Sequence, residues 1–115
     1  VASEAPVRAE QQLYGADGRT IGTTVVSTRA GGRPRVTVGS DRPFDVPVRL
    51  EVRSGGCETS GERLEVLTIA IEAPGLITAT TGLDVATLLR GDASLHVVDA
   101  DSGATLACSR LGEAR

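Results

Sequence analysis

Asp45-Val46-Pro47-Val48-Arg49-Leu50-Glu51-Val52-Arg53 alternates apolar and polar residues without a break, and this period of two sets the reading of the whole chain. In an extended segment Val46, Val48, Leu50 and Val52 share one face, while Asp45, Pro47, Arg49, Glu51 and Arg53 share the other. The pattern predicts a strand with one side on a core. Shorter runs of the same kind predict strands at 7–13, 20–27, 35–38, 64–72, 76–80, 93–98 and 105–109. Between them lie Gly15-Ala16-Asp17-Gly18, Gly31-Gly32-Arg33-Pro34, Ala73-Pro74-Gly75 and Asp101-Ser102-Gly103, all rich in residues that tolerate turn geometry. Eight short strands punctuated in this way predict an all-β antiparallel sandwich or barrel. Residues 83–90 fit a short helical turn as well as a loop packing its leucines inward, and residues 1–6 read as a lead-in to a single domain over 7–115.

Composition removes several chemistries. The chain has 115 residues with a formal charge of -3; its aromatics are Tyr14 and Phe44, and its one histidine is His96. Lysine, methionine, tryptophan and asparagine are absent, so there is no Schiff-base amine and no N-glycan acceptor. One histidine cannot build a multi-histidine metal cage, and two aromatics offer little on which bases could stack. The arginines are scattered among acids, which argues against nucleic acid. No apolar run reaches membrane-spanning length, and no segment combines a basic start with an apolar core in the manner of a signal peptide.

Cys57 and Cys108 lie roughly 50 residues apart, a spacing that suits a long-range disulfide better than a redox pair or a zinc site. Such a bridge would add roughly 4 kcal/mol in the chain-entropy model. Two unrelated free thiols are the other reading.

The order of elements then resembles a known family. Leu64-Glu65-Val66-Leu67, Gly75, the threonine-rich strand 78–81, residues 84–91, Ser94-Leu95-His96-Val97-Val98 and Thr105-Leu106-Ala107-Cys108 follow one another as in the copper-zinc superoxide dismutases. Asp17-Gly18-Arg19-Thr20-Ile21-Gly22-Thr23 is similar to that family's start of the second strand, and residues 45–57 to its H-x-H strand running on to the first disulfide cysteine. The resemblance implies an eight-stranded Greek-key barrel in which Cys57 and Cys108 form the loop-tethering disulfide.

The departures fall at the chemistry. Counting back from Cys57 puts the H-x-H pair at Leu50 and Val52; the outward phase puts it at Arg49 and Glu51 or at Glu51 and Arg53. None is a histidine. The zinc-loop stretch is cut to Glu58-Thr59-Ser60-Gly61-Glu62, and Thr105 stands where the family carries its substrate-guiding arginine. Dismutase activity is therefore not expected, and no cofactor is assigned. His96 falls on or beside the last copper-ligand position and projects outward with Ser94, which reads as a surface residue or a vestigial contact.

The smaller signals are weaker still. Arg90-Gly91-Asp92 reads as a turn rather than an integrin motif. Asp99-x-Asp101-x-Gly103 reads as a hairpin turn, because Arg110 stands where a calcium loop needs glutamate.

The expectation is a secreted or cell-envelope module, superoxide-dismutase-like but without its metal site, that binds a protein partner or its own copy. A different class is a small-molecule-binding protein or enzyme using the groove left by the lost metal loops, with His96, Arg49 and Glu51 as a candidate surface site. Residual copper binding is a further alternative.

Overall fold

The computed structural model describes residues 7–28, 34–57, 61–83, 88 and 93–111. Among the described residues nine strands form one antiparallel sheet: β1 (Val7–Gly15), β2 (Thr20–Thr28), β3 (Arg35–Ser40), β4 (Val48–Ser54), β5 (Arg63–Val66), β6 (Thr68–Ala73), β7 (Leu76–Thr80), β8 (Ala93–Asp99) and β9 (Thr105–Arg110). Their order across the sheet is β5-β4-β8-β9-β1-β2-β3-β7-β6. The two end strands are consecutive in the chain, separated only by Leu67, whose N–H donates to the Leu50 carbonyl at 2.9 Å. That contact draws the ends of the sheet together into a nearly closed, barrel-like form.

Eight strands were expected and nine are found. The difference lies at 64–72, which divides at Leu67: its first part pairs with β4 and its second with β7. These partners lie at opposite ends of the sheet order, so the chain bends as it passes between them. Alternation continues through the bend. Leu67 is buried in the core, while Val66 and Thr68 on either side are exposed. Glu65 secures the same corner, accepting hydrogen bonds from the Thr81 hydroxyl and, at 2.8 Å, from the Gly82 N–H.

The expected strand over 45–53 begins later, at Val48, leaving Val46 exposed. Pro47 has no N–H for a ladder, and its carbonyl accepts instead from the Ala100 N–H at 2.9 Å. From Val48 the predicted phase holds, since Leu50 and Val52 face the core together with Leu95, Val97 and Ala107. The other half of the core comes from Leu13, Val26, Val36, Val38, Ile77 and Ala79. This is an aliphatic interior, and each fully buried leucine or valine contributes about 1.5–3 kcal/mol.

The β1–β2 register shifts between Leu13 and Tyr14. Nearby, a Cβ added to Gly22 would meet the Gly39 carbonyl oxygen at 1.9 Å, so glycine allows the β2 and β3 backbones to approach there. A bulge re-aims the side chain that follows it, and here that side chain is Tyr14.

Residues 1–6, 58–60 and 90–92 lie outside the described residues, and with them the expected lead-in, most of the shortened loop and the Arg90-Gly91-Asp92 turn. So do 31–33 and most of 83–90, although Leu88 is buried in the core. Among the described residues no helix is long and apolar enough to cross a membrane.

Candidate functional site on the outer face of the sheet

Strand register places three of the residues singled out from sequence, Glu51, His96 and Cys108, on one line. Val66 is opposite Glu51, Glu51 opposite His96, His96 opposite Cys108, and Cys108 opposite Tyr14, across β5, β4, β8, β9 and β1. Opposed residues of antiparallel strands share a face, and Leu50, Leu95 and Ala107 occupy the inner one, so this line lies outside. A second line beside it runs through Arg63, Arg53, Ser94 and Arg110.

Exposure rises from Glu51 toward β1: Glu51 is 0% exposed, His96 2%, Cys108 7% and Tyr14 42%, while Val66 on the other side of Glu51 is exposed at the sheet end. The candidate surface site of His96, Arg49 and Glu51 is thus brought together but is not a surface. Alternation correctly directs Glu51 and His96 away from the core; what it cannot show is the cover over them. Arginines supply that cover over Glu51, and Cys57 is bonded to Cys108, next to His96, in a disulfide.

Glu51 is closed by arginine. Arg49 Nε donates to Oε2 at 2.7 Å, while Arg53 donates from Nε at 3.1 Å and from Nη2 at 2.8 Å to Oε1. Arg63 Nη1 approaches Oε2 at 3.5 Å. Both carboxylate oxygens are therefore occupied. Burial alone would raise the Glu51 pKa, but the hydrogen bonds and charges of Arg53 and Arg49 together hold it below the usual carboxylate value.

His96 Nε2 lies 2.9 Å from Ser94 Oγ and 3.7 Å from Cys108 Sγ, while Nδ1 has no partner among the described residues. Burial, then the Arg53 charge, lowers the His96 pKa against the opposing pull of Glu51, so the ring is neutral near pH 7. We assign the proton to Nε2, where Ser94 Oγ can accept it. Nδ1 is left as a bare lone pair, which spares the fold a buried N–H without an acceptor.

These groups do not fit copper or zinc of the dismutase kind. The outward positions of β4 hold Arg49, Glu51 and Arg53, the single carboxylate is saturated by guanidinium groups, and one imidazole cannot complete a site. Among the described residues no group of three or more His, Cys, Asp or Glu could hold a metal ion. At the β8–β9 turn, Asp99 Oδ1 accepts from the backbone N–H groups of Asp101 (2.8 Å) and Ser102 (3.2 Å), which is the work of a hairpin turn.

The open part of the face lies at the other end of the line. A groove of about 690 Å³ is lined by Tyr14, Gly15, Cys57, Thr105, Cys108 and Arg110, among others. It sits at the β1–β9 seam, which is paired only through Tyr14 with Cys108 and Gly15 with Ala107. Beyond those pairs the Ser109 hydroxyl bonds the Gln12 carbonyl at 2.8 Å. The Arg110 guanidinium lies against the chain before Cys57: a Cβ added to Gly56 would be 3.5 Å from Arg110 Nη2.

Tyr14, Arg110 and Ser94 were not singled out from sequence. Arg110 was within reach, since it stands two residues beyond Cys108 on the same face. Tyr14 was not, because only the β1–β9 register brings it to the disulfide. No family model matches the chain, and no curated protein or solved structure matches it either.

Proposed function

We propose that this chain is a non-catalytic, superoxide-dismutase-like module of an oxidising compartment, secreted or in the cell envelope, that engages a protein partner or a second copy through the groove beside Cys57–Cys108. The observation that carries this reading is the division of the outer face. The acid and base that catalysis would use, Glu51 and His96, are buried: both carboxylate oxygens of Glu51 are taken by arginines, and His96 is held at Nε2 by Ser94. The accessible concavity presents instead an aromatic ring, a guanidinium group and main chain. Tyrosine and arginine are the residues that anchor binding interfaces.

Two features support the family and the compartment. With β5 and β6 taken as one bent strand, β4, β5/β6 and β7 are successive neighbours and β8 returns beside β4, the order of a Greek key. A long-range disulfide agrees with residence outside the cytoplasm. The groove volume also favours a second reading, a small-molecule ligand, because about 690 Å³ lies within the range of roughly 300–1,000 Å³ usual for such sites.

A photo-crosslinking residue in place of Tyr14 tests the primary reading in the cells that make the protein. The expected result is one discrete adduct, with a partner or with a second copy, that Arg110→Glu suppresses. If the products match those from the same probe at Arg35 on β3, the protein-partner reading fails. Native mass spectrometry of the isolated protein tests the second reading through a bound mass that Arg110→Glu removes.

A further inference from the structure

The disulfide itself has an unusual setting. Both of its residues line the open groove. Cys108 is nearly buried and Cys57 only half-buried, so a reagent in the groove meets Cys57 more readily. Behind Cys108, His96 Nε2 stands 3.7 Å from its sulfur, and Arg110 projects from the same strand into the same groove. A reachable sulfur beside an imidazole whose N–H can turn from a serine hydroxyl to a departing thiolate, in a groove also lined by an arginine, is an arrangement that speeds thiol–disulfide exchange.

We propose that Cys57–Cys108 is a reactive disulfide that oxidises a dithiol brought into the groove, with Cys57 as the sulfur attacked and Cys108 as the leaving group. The thiolate of the dithiol bonds to Cys57 Sγ as the Cys57–Cys108 bond breaks. Cys108 departs with the electron pair and accepts the hydrogen bond from His96 Nε2–H that Ser94 Oγ accepts in the oxidised protein, in the groove that Arg110 also lines. The second thiol of the dithiol loses its proton to solvent and attacks its own partner sulfur in the mixed disulfide, releasing Cys57 as a thiolate. The dithiol loses two electrons and two protons and becomes a disulfide; the two cysteines gain the electrons and, after protonation, end as thiols. His96 and Arg110 act as positioning residues, and neither changes its covalent structure. The inference shares the groove with the binding reading but stands on the sulfur–imidazole geometry.

The test is the initial rate of reduction of the folded, oxidised protein by dithiothreitol, read before reduced protein accumulates so that its stability does not enter. The expected rate is first order in dithiothreitol and insensitive to low urea. Arg110→Gln should slow it roughly three- to tenfold, and His96→Phe by a similar factor, with circular dichroism verifying that both variants are folded. A brief pulse of glutathione followed by acid quench should place the mixed disulfide on Cys57. A rate independent of dithiothreitol, which would mean that global unfolding limits the reaction, overturns the proposal; so do unchanged rates in both folded variants, or a mixed disulfide on Cys108. None of these results would remove a crosslinked adduct at Tyr14, so failure here is distinguishable from failure of the binding reading.

Discussion

Glu51 and Tyr14 sit on the same outward line of the sheet, three strand steps apart, yet one is sealed and the other half open. At the sealed end a carboxylate is covered by guanidinium groups that satisfy it while themselves staying in partial contact with water. At the open end the strands share only two residue pairs, and the space between them is a groove. Polar residues on the outer face of a barrel-like sheet therefore do not by themselves mark a site. Where opposite charges are close enough to use up one another's hydrogen bonds, they become structure; a site needs polar groups left over, and here those are Tyr14 and Arg110.

The largest expected effect comes from cutting the boundary between the two regions. Replacing both cysteines, Cys57→Ser with Cys108→Ser, should lower the unfolding free energy by about 4 kcal/mol in the chain-entropy model for a loop of 51 residues. Urea titration measures it, and a loss below about 1 kcal/mol would mean that the tether is not what holds the segment before Cys57. Next comes Glu51→Gln, which removes the charged acceptor from three partly exposed arginines and should cost about 2 kcal/mol. A change near zero in the same titration would show that the cluster is solvated and that the contrast between the two ends is false.

Acid should separate the ends more gently. Because the folded protein holds the His96 pKa below 6.5, the unfolded chain takes up that proton first, and stability falls as pH drops below 6.5. Glu51 is held below 4.5 in the folded state, so the stability it contributes is present above that value and is lost as pH falls through its folded pKa. His96→Gln should remove the first decline and Glu51→Gln the second, read from the urea midpoint at successive pH values. If both declines persist in both variants, other groups are responsible. The smallest effects belong to the groove: Tyr14→Ala and Arg110→Gln should each shift stability by no more than about 0.5 kcal/mol. A larger loss would make them part of the fold rather than free binding groups.

Much of the fold was legible in the sequence because strand periodicity is a local property. The 76–80 strand matches its expected bounds, and most of the others differ by only a residue or two at an end. Leu67 escaped because alternation passes through it unbroken; the division arises from which neighbours the two halves find, and no short window of sequence contains that information. Glu51 escaped for a related reason. Arg49-x-Glu51-x-Arg53 can be read as three like-facing charges, but Arg63 comes from elsewhere, so burial was decided by tertiary structure. The pairing of Cys57 with Cys108 could be anticipated from spacing and resemblance. The groove could not, since it depends on a seam between the first and last strands.

That seam has a kinetic consequence. One side of the sheet, β5-β4-β8-β9, draws on residues 48–66 and 93–110, and the other, β1-β2-β3-β7-β6, on residues 7–40 and 68–80. Each side is therefore interleaved in the chain with the other: one is complete only after the polypeptide has crossed at Leu67, and the other only after it has returned. Hairpins such as β1–β2 and β6–β7 can form early from neighbouring residues, whereas Tyr14 must wait for Cys108, the partner farthest from it in sequence. Assembly of this kind runs on the millisecond-to-second scale of all-β proteins rather than in microseconds. Oxidation of Cys108 then acts as a latch on a seam that only a nearly finished molecule can present.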